Sequence, residues 1–102
     1  MSKYAWAWDI KPEYADRYAE FHLNPWPEIM EAHRGAGIRN YSIFRNGNQF
    51  LYVLECDGPL EQAFAKMEGN EAVARWDAIM DEMIVGDIGS PKKLLQEVFF
   101  LA

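Results

Sequence analysis

With a single cysteine, Cys56, among 102 residues, the chain can form neither an internal disulfide nor a thiolate-based metal site on its own. That cysteine lies in a strand-like run and reads as a small buried hydrophobe. No apolar run approaches the ~18 residues a membrane helix needs. The N-terminus opens on an aromatic strand pattern, without a basic, apolar, small-residue leader. These absences predict a cytoplasmic protein with no membrane partner. Positive charge is also scarce: ten Lys and Arg stand against sixteen Asp and Glu, a formal net charge of -6 with no basic stripe. Nucleic acid is therefore not an expected partner. P-loop, dinucleotide-binding glycine pattern, metal-binding His pair and Gly-flanked nucleophilic serine are all missing, so neither a cofactor nor a metal is expected.

What the chain has is rings. Half of it is hydrophobic, with four Trp, five Tyr and six Phe. A single domain over 1–102 has trouble burying so much aromatic surface, so some rings should line a pocket or a subunit interface.

Tyr4 to Ile10 alternates as a strand, and Pro12 suits the first position of a helix running to about His33, with Gly35 and Gly37 at its end. Ile38–Arg45 and Gln49–Cys56 read as strands joined through Asn46-Gly47-Asn48. In the second, Phe50, Tyr52 and Leu54 share one face, Leu51 and Val53 the other, so both faces should be covered. Pro59 opens a short helix to about Glu68, and Asn70 caps a longer one to about Val85. Gly86–Pro91 reads as a loop and Leu94–Leu101 as a final strand. The order predicts an α+β, ferredoxin-like βαββαβ sheet with helices on one face. A second copy is the economical cover for the other face, which predicts a homodimer.

On a wheel of roughly 100° per residue, Glu13, Asp16, Arg17, Glu20 and Asn24 share one side of the first helix. Tyr14, Ala15, Tyr18, Ala19 and Phe21 share the other, with His22 near the middle of that arc. An inward imidazole is often only a hydrogen-bonded core residue. Here Pro25 and Pro27 follow, each removing a helical N–H, so the helix should kink just past His22. A kink beside an inward histidine helps to open a cleft. His33, by contrast, sits at the helix end, where a cation complements the dipole, and is assigned a structural role. In the late helix, Trp76 belongs to an apolar stripe with Asp77 on its border, and Tyr41 faces with Ile43 and Arg45. His, Tyr, Trp and Asp without a cofactor handle fit proton transfer on a small polyhydroxylated ligand.

Four stretches in order, Tyr18-Ala-Glu-Phe-His22-Leu-Asn-Pro-Trp-Pro-Glu28, Asn40-Tyr41-Ser-Ile, Arg75-Trp76 and Leu95-Gln-Glu-Val-Phe-Phe-Leu101, resemble the L-rhamnose mutarotase family. The likeness spans essentially the whole chain. It implies a dimeric ferredoxin-like α+β barrel that interconverts the anomers of a 6-deoxy-L-hexose monosaccharide, without cofactor. It further implies His22 as proton donor, Tyr18 and Tyr41 as sugar contacts, and Trp76 as a stacking wall. Asp77 stands where the family often has a second Trp, which leaves L-fucose beside L-rhamnose as the sugar. The second acid–base group stays open between a tyrosine hydroxyl, Asp77 and water. Two readings of other classes compete: a cofactor-independent monooxygenase or haem-degrading protein on the same fold, and a binding module without catalysis.

Overall fold

Strand β1, Ser2–Asp9, grows from the alternation of Tyr4, Trp6 and Trp8 with Ala5, Ala7 and Asp9. The structure is a computed structural model and describes residues 2–88 and 92–102. Ile10 then makes an isolated bridge to Ile84, and a single 3-10 turn, Pro12–Tyr14, leads into helix α1, Ala15–Leu23.

The expected kink is a complete break. Proline disfavours helical geometry in the residue before it. Asn24, before Pro25, takes φ -135° and ψ 69°, and Trp26, before Pro27, is extended at φ -62° and ψ 137°. Two prolines spaced two apart thus remove the helix for three residues, and α2 restarts over Pro27–Gly35 with Pro27 in its first turn.

Gly37, at φ +86°, turns the chain into β2, Ile38–Asn46; β3, Gln49–Cys56, follows a two-residue turn with Gly47 at φ +64°. The sheet order is β1-β3-β2, antiparallel throughout. Between Arg39 and Ser42 the register slips, so Asn40 and Tyr41 together face the one position between Glu55 and Val53; Asn40 takes φ +49°. Such a bulge switches which side chains face which side. It lets both Ile38 and the Tyr41–Ile43–Arg45 series share the helical face. Helices α3, Leu60–Met67, and α4, Glu71–Met83, follow, the latter capped by the Asn70 side chain, which accepts from Val73 N–H at 3.1 Å.

The core lies between the sheet and the helices. Trp6, Phe50, Tyr52 and Leu54 come from the strands, Tyr18 and Ile29 from the first two helices, and Trp76, Met80 and Met83 from α4. Cys56 is buried there as a free thiol. The arrangement is the α+β ferredoxin-like one, with one correction. Leu94–Leu101, expected as a fourth strand, is not a strand. It lies along the outer edge of β1, where a ferredoxin-like sheet carries that strand, but shares one backbone hydrogen bond with it, Leu95 N–H to Ala5 C=O at 2.7 Å, beside contacts of Lys3 with Glu97 at 3.7 Å and with the Phe100 ring at 4.6 Å. The apolar residues of this tail find no second layer in one chain: Val98 is 87% exposed and Leu101 80%. The loop expected over Gly86–Pro91 falls partly outside the described residues, which stop at Ile88 and resume at Lys92. Among the described residues no helix is long and apolar enough to cross a membrane.

Candidate functional site

Tyr18 and His22 are one turn apart on α1, so their rings meet, with centroids 4.6 Å apart. The His22 Nδ1–H donates to the Tyr18 backbone carbonyl at 2.7 Å. A carbonyl only accepts, so the proton sits on Nδ1 and the neutral ring keeps its lone pair on Nε2. The break after Leu23 matters here: α1 ends one residue past the histidine, and nothing of the same helix covers it. Burial pushes the His22 pKa below its ordinary value, against a smaller raising effect of the bond to Tyr18.

Trp76 arrives from α4 edge-on to the imidazole, at 5.5 Å and 85°, and touches Phe21 and Trp26 in the same way. His22 and Trp76 line an open cavity of about 920 Å³ between the first two helices and β2, together with Tyr41 and His33. That size lies within the range of small-molecule sites.

Tyr18 itself points deeper. Its hydroxyl meets that of Tyr52 at 2.5 Å, with the two residues 2% and 1% exposed. Burial, partly offset by this hydrogen bond, pushes the Tyr18 pKa up to about 12. Burial raises Tyr52 further still. Tyr41 is 37% exposed as a residue, yet burial around its hydroxyl lifts its pKa strongly. All three phenols are therefore neutral hydrogen-bonding groups at physiological pH.

Asp77 is half-buried, and burial raises its carboxyl pKa, opposed by the nearby charges of His33 and Lys92. Lys92 had no place in the sequence reading. Its ammonium lies 4.4 Å from the centroid of Phe64, 5.1 Å from that of Trp8 and 5.5 Å from that of Trp6. Burial lowers its pKa, and Asp77 works in the opposite direction. Trp6 contributes an indole N–H that is buried with no partner among the described residues.

The structure therefore brings His22, Tyr41 and Trp76 onto one cavity, with Tyr18 packed against His22 and Asp77 near but not on the cavity wall. Tyr52 was not singled out from the sequence, and His33 was given a structural role at the helix end. Tyr52 carried a signal, since a phenol on a buried strand face must find a partner for its hydroxyl. His33 is no mere helix-end cation: its Nδ1–H donates to the Ile29 carbonyl at 2.7 Å, its ring lies 5.7 Å from that of Tyr41, and it lines the cavity. No group of three or more His, Cys, Asp or Glu placed to hold a metal occurs among the described residues.

Residues 3–101 match the family model for L-rhamnose mutarotase. The chain belongs to the L-rhamnose mutarotase family. Relatives bearing that name include one from Burkholderia cenocepacia (strain HI2424), 31% identical with 99% of both chains covered. Another, from Lactiplantibacillus plantarum, is 34% identical over 91% of this chain and 88% of its own. The solved L-rhamnose mutarotase of Formosa agariphila superposes with a TM-score of 0.78 at 23% identity, each chain fully covered. An antibiotic biosynthesis monooxygenase superposes at 0.65 with 20% identity, covering 96% of this chain and 99% of its own. At that distance the likeness of the monooxygenase to this mutarotase-family chain is one of fold.

Proposed function

We propose that this chain interconverts the α and β anomers of L-rhamnose by opening and reclosing the pyranose ring. Family membership supports the reaction. The observation that carries the chemistry is the His22 imidazole, held by Nδ1 on the Tyr18 carbonyl while the residue lines a cavity with ample room for a sugar.

Ring opening removes the proton of the anomeric O–H while the ring oxygen gains one; closure reverses both transfers after the C1–C2 bond has turned. Nothing is oxidised or reduced. A neutral His22 takes the anomeric proton through Nε2 and becomes the proton donor when the carbonyl is attacked again. Tyr41, whose hydroxyl keeps its proton, hydrogen-bonds the sugar, and Tyr18 orients the imidazole through its carbonyl while its hydroxyl, bound to that of Tyr52, braces the site from behind. Trp76 walls the cavity against the C–H face of the ligand, and Asp77, next to it on α4 but off the cavity wall, acts on the choice of sugar from there.

Saturation-transfer NMR on L-rhamnose tests this. Exchange between the anomeric resonances is expected to exceed the buffer rate, and His22→Ala to lose about 10²–10⁴-fold. Wild-type exchange in His22→Ala would remove His22 from the mechanism. The same experiment with L-fucose measures how far Asp77 shapes the choice of sugar.

A homodimer completes the proposal. Phe44 on the outer side of the sheet is 60% exposed, and the tail presents Phe99 and Phe100 at 77% and 62%. That is more exposed apolar surface than a small monomer carries without a partner. A second copy is the proposed cover, and sedimentation should report twice the chain mass.

A further inference from the structure

Two imidazoles, those of His22 and His33, line the cavity. Arg34, Arg39 and Arg45 also reach the cavity, but a guanidinium has no lone pair to offer as a base. Tyr41 is driven away from ionisation by burial.

The two histidines are built alike. Each sits in the last turn of a nine-residue helix, and each Nδ1–H is bound to the carbonyl four residues earlier at 2.7 Å. Both tautomers are thereby fixed, and both rings have Nε2 as the nitrogen left to act. Each ring rests against a tyrosine of the site: His22 on Tyr18 at 4.6 Å, His33 on Tyr41 at 5.7 Å.

We propose that His33 is the second catalytic residue of the anomer exchange, serving the ring oxygen while His22 serves the anomeric oxygen. In opening, His22 Nε2 takes the anomeric proton, C1 and its exocyclic oxygen form a carbonyl, and the bond from C1 to the ring oxygen breaks. A His33 imidazolium gives its Nε2 proton to that ring oxygen. In closure the ring hydroxyl returns its proton to His33 as it attacks the other face of the carbonyl, and His22 returns the first proton. Both imidazoles end as they began, so no co-reactant is required. Asp77 on α4 lies close enough that the charge of His33 lowers the pKa of its carboxyl, against the raising effect of burial.

This rests on the anomer-exchange reading, and one experiment separates the two. His33→Asn keeps an amide N–H near the position of Nδ1 but removes Nε2; His33→Gln is its companion should the first fold poorly, both checked by circular dichroism. With wild type active, His33→Asn should lose about 10²–10⁴-fold in exchange rate at saturating sugar, with half-saturation within about twofold. Because the two transfers belong to one step, His22→Asn/His33→Asn should fall no further than the worse single variant. A His33→Asn enzyme that keeps the wild-type rate, or loses only sugar affinity, overturns the role of His33 and leaves the function standing. A wild-type chain that speeds exchange of no aldose overturns both.

Discussion

The hydroxyl contact between Tyr18 and Tyr52 allows a stability prediction with a sign that packing alone does not give. Tyr18→Phe removes one hydroxyl and strands the other, in a residue that is only 1% exposed. A buried polar group left without a partner costs about 1–3 kcal/mol. At roughly 4–8 °C per kcal/mol for a domain of this size, a mid-range loss of about 2 kcal/mol lowers Tm by roughly 8–16 °C. Tyr52→Phe strands the Tyr18 hydroxyl instead and should cost a similar amount. Removing both hydroxyls strands nothing, so the double Phe variant should lie within about 1 kcal/mol of wild type. Urea unfolding at fixed protein concentration, with a constant m value, reads all four proteins. Alkaline pH gives a second reading. Tyr18 has a folded pKa of about 12 against an ordinary 10.0, so its contribution is complete below about pH 10 and is lost as pH climbs towards 12. The double variant should lack that loss. Additive single effects, with the double variant as poor as their sum, would refute the reasoning.

Three further outcomes follow from the same geometry. Asn70→Ala removes the acceptor for Val73 N–H at the start of α4 and should cost about 1 kcal/mol in urea. Burial raises the Asp77 carboxyl above 3.8, so its contribution is favourable below that pH and is lost as pH rises through the folded value; Asp77→Asn should therefore raise Tm at pH 7, with the gain vanishing in acid. His22 is lowered from 6.5, so its contribution is present above that pH and lost as pH falls through the folded value; the urea midpoint of wild type should drop between pH 7 and 5 more than that of His22→Asn.

The hairpin was readable because Asn46-Gly47-Asn48 is a local signal, and the turn forms there with Gly47 at φ +64°. The stripe of α4 was readable from its period, and Ala72, Trp76, Met80 and Met83 are its buried residues. His22 stood out because an imidazole interrupts an apolar arc. The bulge at Asn40–Tyr41 left no local mark, since it answers to the register of β3. Lys92 could not be placed, because its three rings come from β1 and α3, far off in sequence. The tail misled for a related reason: an apolar run such as Val98-Phe99-Phe100-Leu101 shows that a segment calls for cover on both faces, not that its own chain supplies it. That His33 lines the cavity could not be read from the sequence, because its place at a helix end says nothing of what lies opposite.

The gap at Asn24–Trp26 fixes more than a bend. His22 and His33 are eleven residues apart. On one unbroken rod they would stand about 16 Å from each other along its axis, each looking the same way from a different height. Snapped into two rods, the same stretch owns two carboxyl ends instead of one, and each end delivers a nitrogen base to a common hollow. The prolines thus convert distance along a cylinder into convergence on a point, and a variant with Pro25 and Pro27 both replaced by Ala should separate the imidazoles as it restores the rod.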